Sequence, residues 1–286
     1  KYNSDGVEDL SDVFPYDTGN QIWGSAASSD IDIDGYPDIL VSSKSKHLYA
    51  FDRNGLKFDY DASSWLMGTP AIGQLDSDPE LEIVVPGYSS SGKKIYAVNH
   101  DGSAVSGFPV DVGERMIVGV ALHDFNDNGR DDIVFGSDSD NIHLMYDDGT
   151  IAWNPKNGQH KRTKINAQAS VMLGLLNPFG EIDRVVIGDV SGCVTIISLS
   201  EMAVIDRFIT KNSTVRSLCS SSKSDESILV GCENGTILLV GQNVPGRVVT
   251  LFRLDGPASA LRVVGQSLHI QQGWERLMLD WTGLPC

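Results

Sequence analysis

Basic residues are scarce in this chain. Twenty-two lysines and arginines stand against thirty-eight acids, a formal net charge of −16. A surface of that sign repels nucleic-acid backbones and anionic membrane faces, so neither is an expected partner. No run of eighteen apolar residues occurs, and the first residues lack the apolar centre of a signal peptide. The expectation is a soluble chain, mature or trimmed, with no membrane insertion. Cysteine is also sparse: Cys193, Cys219, Cys232 and Cys286 occur at no metal-binding spacing. Cys219 and Cys232 fall in neighbouring expected strands and either bridge or pack as thiols, buried thiols being the expectation because free cysteine behaves as a small hydrophobe.

Enzyme motifs are missing too. Gly87-Tyr88-Ser89-Ser90-Ser91-Gly92-Lys93-Lys94 has the spacing of a phosphate-binding loop, but Lys94 stands where a magnesium-binding hydroxyl belongs and a strand follows where a helix is needed. It reads as a hairpin turn. The six histidines are scattered, and no G-x-S-x-G elbow is present. Nucleophile triads assemble from distant residues, so the absence lowers the case for an enzyme without removing it.

What the chain does have is aspartate in register. Asp30-Ile31-Asp32-Ile33-Asp34-Gly35-Tyr36-Pro37-Asp38 places four carboxylates within nine residues. Packed together they repel one another unless a cation sits among them, and a hard divalent ion suits an all-oxygen set. Asp30, Asp32, Asp34 and Asp38 by side chain, with the Tyr36 carbonyl, are the expected calcium ligands. Ile39-Leu40-Val41 behind them is a strand, so this is not the loop of an EF-hand, which requires an exit helix.

The pattern returns twice. Asp124, Asn126, Asn128 and Asp132 with the Arg130 carbonyl form a second expected site, weaker for having two fewer charges. Asp76, Asp78 and Glu82 form a third, where Gln74 leads the loop and Pro79 replaces the glycine, so a metal-free turn is the alternative. Each loop feeds a strand, then a second strand ending at Asn54-Gly55, Asp101-Gly102 or Asp148-Gly149, read as two-residue hairpins with both central residues at positive φ. Those glycines are 47 residues apart, twice. A repeat of that length built of short strands implies an all-β propeller of four-stranded blades, about six of them, with seven as the alternative.

The expected blades cover residues 23–64, 65–114, 115–165, 166–212, 213–256, and 257–286 completed by 1–20, all in one domain. Residues 7–15 would supply the outer strand of the last blade, with Asn3 and Asp5 as turn residues, and so remove the open sheet edges. Trp23 and Trp65 stand before successive first strands. They either pack blade on blade, the expected role, or form a platform for a ligand.

Over residues 23–150 the loops and following strands resemble the FG-GAP repeats of integrin α-subunit propellers and of many bacterial surface proteins. The resemblance implies calcium on one face of the ring. It also implies a secreted or cell-surface adhesion module that binds a protein or glycan on a propeller face. It does not extend to residues 177–184 or 221–226, which lack alternating carboxylates. Two rival readings stand beside it: a propeller-scaffold enzyme acting on polysaccharide, lyase or quinoprotein-like, and a structural subunit of a surface filament or virion appendage.

Overall fold

The structure is a computed structural model that describes residues 15–154, 159–160, 162–165, 167–176, 182–210, 213–220, 227–241, 244, 246–264, 267–272 and 275–280. The expected closing strand (Pro15 apart), the Asn3 and Asp5 turn, the fifth loop position, most of the fourth, and Cys286 lie outside these residues. Among the described residues every regular element is a strand, and the fold is a β-propeller.

The first sheet is β1 (Ala27–Ser29), β2 (Asp38–Ser42), β3 (His47–Asp52) and β4 (Gly55–Asp61), antiparallel in chain order. The second repeats it with β5 (Ala71–Gly73), β6 (Glu82–Pro86), β7 (Lys94–Val98) and β8 (Val110–Asp111). In the third, β9 (Ala121–His123), β10 (Asp132–Gly136) and β11 (Asn141–Met145) are followed by a short ribbon of β12 (Trp153–Asn154) and β13 (Gln159–His160), and β14 (Arg162–Lys164) takes the outer position. Then come β15 (Ala169–Leu176), β16 (Ile182–Asp189), β17 (Cys193–Ser198) and β18 (Ala203–Ile209), and after them β19 (Val215–Ser220), β20 (Ser227–Cys232), β21 (Thr236–Gly241) and β22 (Val248–Arg253). The last described sheet has three strands, β23 (Ala258–Val264), β24 (Ser267–Gln272) and β25 (Glu275–Asp280).

By backbone proximity the chain divides into two compact units, Lys1–Phe135 with Leu144–Ala152, and Gly136–His143 with Trp153–Cys286. Within each, successive sheets stack face to face, and strand periodicity explains how. In β6, Ile83 and Val85 pack with Leu40, Leu48 and Ala50 of the first sheet, while Val84 between them packs with Ile133, Phe135 and Met145. In β20 of the second unit, Ile228 and Val230 meet Val186, Val194 and Ile196, while Leu229 meets Leu261, Leu268 and Ile270. Side chains alternate across a strand, so a strand covered on both faces must be apolar throughout. β10 and β17 are buried end to end, whereas the outer strands β4 and β18 are largely open to solvent.

Hydroxyls tie neighbouring sheets at their inner ends. Ser42 Oγ donates to the Gly68 carbonyl, Ser170 Oγ to that of Val215 at 2.6 Å and Ser217 Oγ to that of Ala258 at 2.9 Å. Alongside Ser42, the lead-ins to β1, β5 and β9 touch through backbone. A Cβ on Gly24 would lie 2.7 Å from Gly68, and one on Gly68 would lie 2.6 Å from the Gly119 nitrogen. Only glycine permits that approach.

The turns differ from expectation in type. Asn99 N donates to Ser103 O and Gly102 N to Asn99 O, with Gly102 at φ 89°, and Tyr146 to Thr150 repeats this with Gly149 at φ 81°. These are three-residue loops in which the glycine alone takes positive φ; Asp101 and Asp148 instead use their carboxylates to cap Ser103 N and Thr150 N. At Asn54-Gly55 the glycine pairs with Asp52, so the turn residues are Arg53 and Asn54. The Gly87 to Gly92 segment is a hairpin turn packed on Ser64, as expected. Cys193, Cys219 and Cys232 are thiols; Cys219 sits opposite Leu229 and Cys232 opposite Val215, so they are not cross-strand partners.

Replacing Gly68 by alanine is expected to lower stability by about 1–3 kcal/mol, because the new methyl meets backbone that cannot yield. Denaturant unfolding measures it. A midpoint equal to the parent's would show that the blade lead-ins are not in close contact.

Candidate metal centre

Each loop is anchored by a buried carboxylate at the first position of its second strand. Asp38, Glu82 and Asp132 are 2%, 0% and 0% exposed. Each accepts the backbone N–H of the residue seven positions earlier: Ile31 N to Asp38 Oδ2 at 3.1 Å, Leu75 N to Glu82 Oε2 at 2.5 Å and Phe125 N to Asp132 Oδ2 at 3.0 Å. The first and third loops are otherwise near copies. Asp30 takes the N–H groups of Asp34 and Gly35, as Asp124 takes those of Asn128 and Gly129. Ile33 and Asp127 both stand in the left-handed region, followed two residues on by Gly35 and Gly129. The second loop takes neither left-handed residue; the Gln74 side chain donates to the carbonyls of Asp78 and Glu80 and holds it from within.

Of the expected ligands, Asp30, Asp32 and Asp38 bring carboxylate oxygens within 4.8 Å of one another, and so do Asp76, Asp78 and Glu82. Asp34 stands outside the first group, 3.9 Å from the Arg53 guanidinium, which in turn lies over the Tyr36 ring. What each group holds differs. In the first loop the Lys57 ammonium, reaching in from β4, is bonded to Asp32 and lies 3.5 Å from Asp38. Its side chain is 15% exposed. The hydrogen bond from Lys57 holds the Asp32 carboxyl below its ordinary value, burial raises that of Asp38, and Lys57 itself is raised because Asp32 and Asp38 outweigh the effect of its burial.

In the third loop amides do the neutralising. Asp132 Oδ1 accepts from the Asn126 amide at 3.2 Å and from Asp147 N at 3.1 Å. Asp147, buried in the next turn, takes the Asn128 amide and Arg130. Burial still pushes Asp132 up to about 6. The second loop contains no such donor. Glu82 Oε1 is buried with no hydrogen-bond partner, and burial pushes its carboxyl up to about 7. An orphaned, buried carboxylate oxygen grouped with two more carboxylates suits a hard cation, so the second loop fits calcium. The first already holds an ammonium, and the third turns amide N–H groups inward.

A second surface feature lies at the far ends of the same strands, and here packing does not describe the tryptophans. Trp23 and Trp65 are 57% and 40% exposed. They flank Lys44, whose ammonium lies 5.0 Å from each ring centre and bonds Gln21 Oε1. Tyr88 continues the surface, its N–H donating to the Trp65 carbonyl and its ring lying under Arg115.

No family model matches the chain, and no curated protein matches it. Solved structures do. BBS1N in complex with ARL6DN superposes with TM-score 0.65 at 12% identity, covering 89% of this chain and 77% of that one. Sqt1 of Saccharomyces cerevisiae gives 0.65 at 13%, covering 86% and 68%. BamB from Moraxella catarrhalis gives 0.60 at 13%, covering 90% and 72%. At such identities the likeness is one of fold.

Glu82→Gln should stabilise the calcium-free protein by about 1–2 kcal/mol, since the amide keeps a bond to Leu75 N, donates to the neighbouring aspartates and removes an uncompensated buried charge. Urea unfolding in chelator reads it. Destabilisation would mean that Glu82 is already satisfied without metal.

Proposed function

We propose that this chain is a calcium-stabilised propeller, secreted or on a cell surface, that presents a protein-binding patch. The observation that carries the binding half is the pair of exposed tryptophans around Lys44. Exposed aromatic rings clustered around a cation suit such a role, because interface centres are rich in tryptophan, tyrosine and arginine. The patch offers all of these in Trp23, Trp65, Tyr88 and Arg115. Solved neighbours lend support by fold, and one of them, BBS1N, was crystallised with a protein partner, ARL6DN. The calcium half draws on the likeness of the loops to FG-GAP repeats and on the orphaned Glu82 oxygen. A surface or extracellular setting agrees with loops of modest charge, which suit the high calcium found there.

Two outcomes follow. Chelation should lower the melting temperature, because a ligand at a hundredfold excess over its Kd adds about 2.7 kcal/mol to the native state; melting indifferent to calcium would defeat that half. The double change Trp23→Ala with Trp65→Ala should leave melting near the parent's and abolish cross-linking to a partner that the parent captures from a cell-surface protein fraction. Tryptophan-dependent binding on a glycan array instead would replace the protein with a sugar. Capture by parent and variant alike would remove the patch from the interface.

A further inference from the structure

We infer that the three loops are neutralised by three different means and that only the second takes a divalent cation, Lys57 being the resident cation of the first and excluding metal from it. This rests on the calcium reading of the second loop, and it reverses the order that the carboxylate count alone suggests. The first loop has the most aspartates, but it also has β4 beside it. Lys57 lies 25 positions from Asp32 and enters from the outer strand of the same blade. Its ammonium stands on Asp32 and within 3.5 Å of Asp38, two of the three carboxylates that a metal would need. Because the side chain is 15% exposed, the charge is held inside the loop and not swung into solvent. A divalent ion placed among Asp30, Asp32 and Asp38 would sit against that ammonium, and like charges so close repel.

The other two loops bracket the case. In the third, both oxygens of Asp132 accept protein N–H groups, so neither oxygen is left without a donor. In the second, Oε1 of the fully buried Glu82 has none, while Asp76 and Asp78 bring their oxygens within 4.8 Å. No lysine reaches this loop from the outer side of its blade: where Leu56, Lys57 and Phe58 run opposite Phe51 and Ala50 in the first blade, Ala104 and Val105 run opposite Val98 and Ala97 in the second. The three loops therefore carry an ammonium, amides and an unpartnered carboxylate oxygen.

Calorimetric titration of the chelator-stripped full chain with calcium separates the possibilities. The parent should bind one ion, Glu82→Gln should weaken that binding by about tenfold or more, and Asp32→Asn should leave it unchanged. Lys57→Met should add a second ion, while Lys57→Arg, which keeps the charge, should not. If Lys57→Met does not fold, the Asp32→Asn and Glu82→Gln pair still decides. A binding step lost in Asp32→Asn but kept in Glu82→Gln would overturn the assignment of Lys57 and leave the calcium reading standing. Two or more ions on the parent, one of them lost with Asp32→Asn, would do the same. No binding to any variant would end the calcium reading itself, and this inference with it.

Discussion

A buried carboxylate that opens the second strand of a blade, and that catches a backbone N–H from seven residues earlier, is the constraint on which the first three blades depend. It does two things at once. It closes the loop into a fixed ring, and it plants a negative charge where the strand enters the stack of sheets. The first is favourable. The second is not, because a buried ionised group without a counter-charge costs several kcal/mol. Each loop must therefore find positive character nearby, and the sequence differences among the loops are differences in where it comes from.

Those sources have unequal consequences. Lys57 supplies a full charge covalently, so the buried Asp38 of the first loop has a counter-charge nearby at any calcium concentration. Asn126 and Asn128 supply partial charges, which cost nothing to bury when bonded on both sides. Glu82 has a donor on one oxygen, Leu75 N, and none on the other. Two unit charges about 4 Å apart interact by about 4 kcal/mol at an effective dielectric near 20, and a divalent ion doubles it, so the second loop gains most from a metal and suffers most without one. In the proposed reading, dependence on calcium would follow from one blade's lack of a donor, not from the richness of aspartate in another.

Much of this architecture is written in the order of residues. The 47-residue spacing of the turn glycines, the carboxylate that opens each loop's following strand and the apolar runs behind it gave blades, and the described strands fall within them. Less visible were features set by strand pairing. Nothing local shows that Lys57 meets Asp32; that contact needs the register of β3 on β4, and β4 on the loop side. Asp147 is likewise drawn to the third loop by its place at the end of β11, and no periodicity in the sequence marks it as a partner of Asn128. Trp23 and Trp65 read as packing because large rings usually fill wedges between twisted sheets. Glycines at 24, 68 and 119 leave no wedge there: the backbones themselves touch, and the rings are displaced to solvent.

The same strands separate the two halves of the proposed function. In β2, Asp38 faces the loop and Ser42 stands at the other end, four residues or about 13 Å away, with Lys44 just beyond. In β6, Glu82 and Pro86 bound the strand, and Tyr88 follows. A cation at Glu82 is therefore too far from Tyr88 or Trp65 to touch anything bound there. Its influence runs through the strand, which is buried on both faces and leaves no slack for one end to move alone. An uncompensated charge at Glu82 weakens the point where β6 is tied to its loop, and the Tyr88 N–H bonded to Trp65 sits at the opposite tie of that strand. In the proposed arrangement calcium would set how firmly the aromatic surface is held, while the chemistry of recognition would stay with the rings and with Lys44.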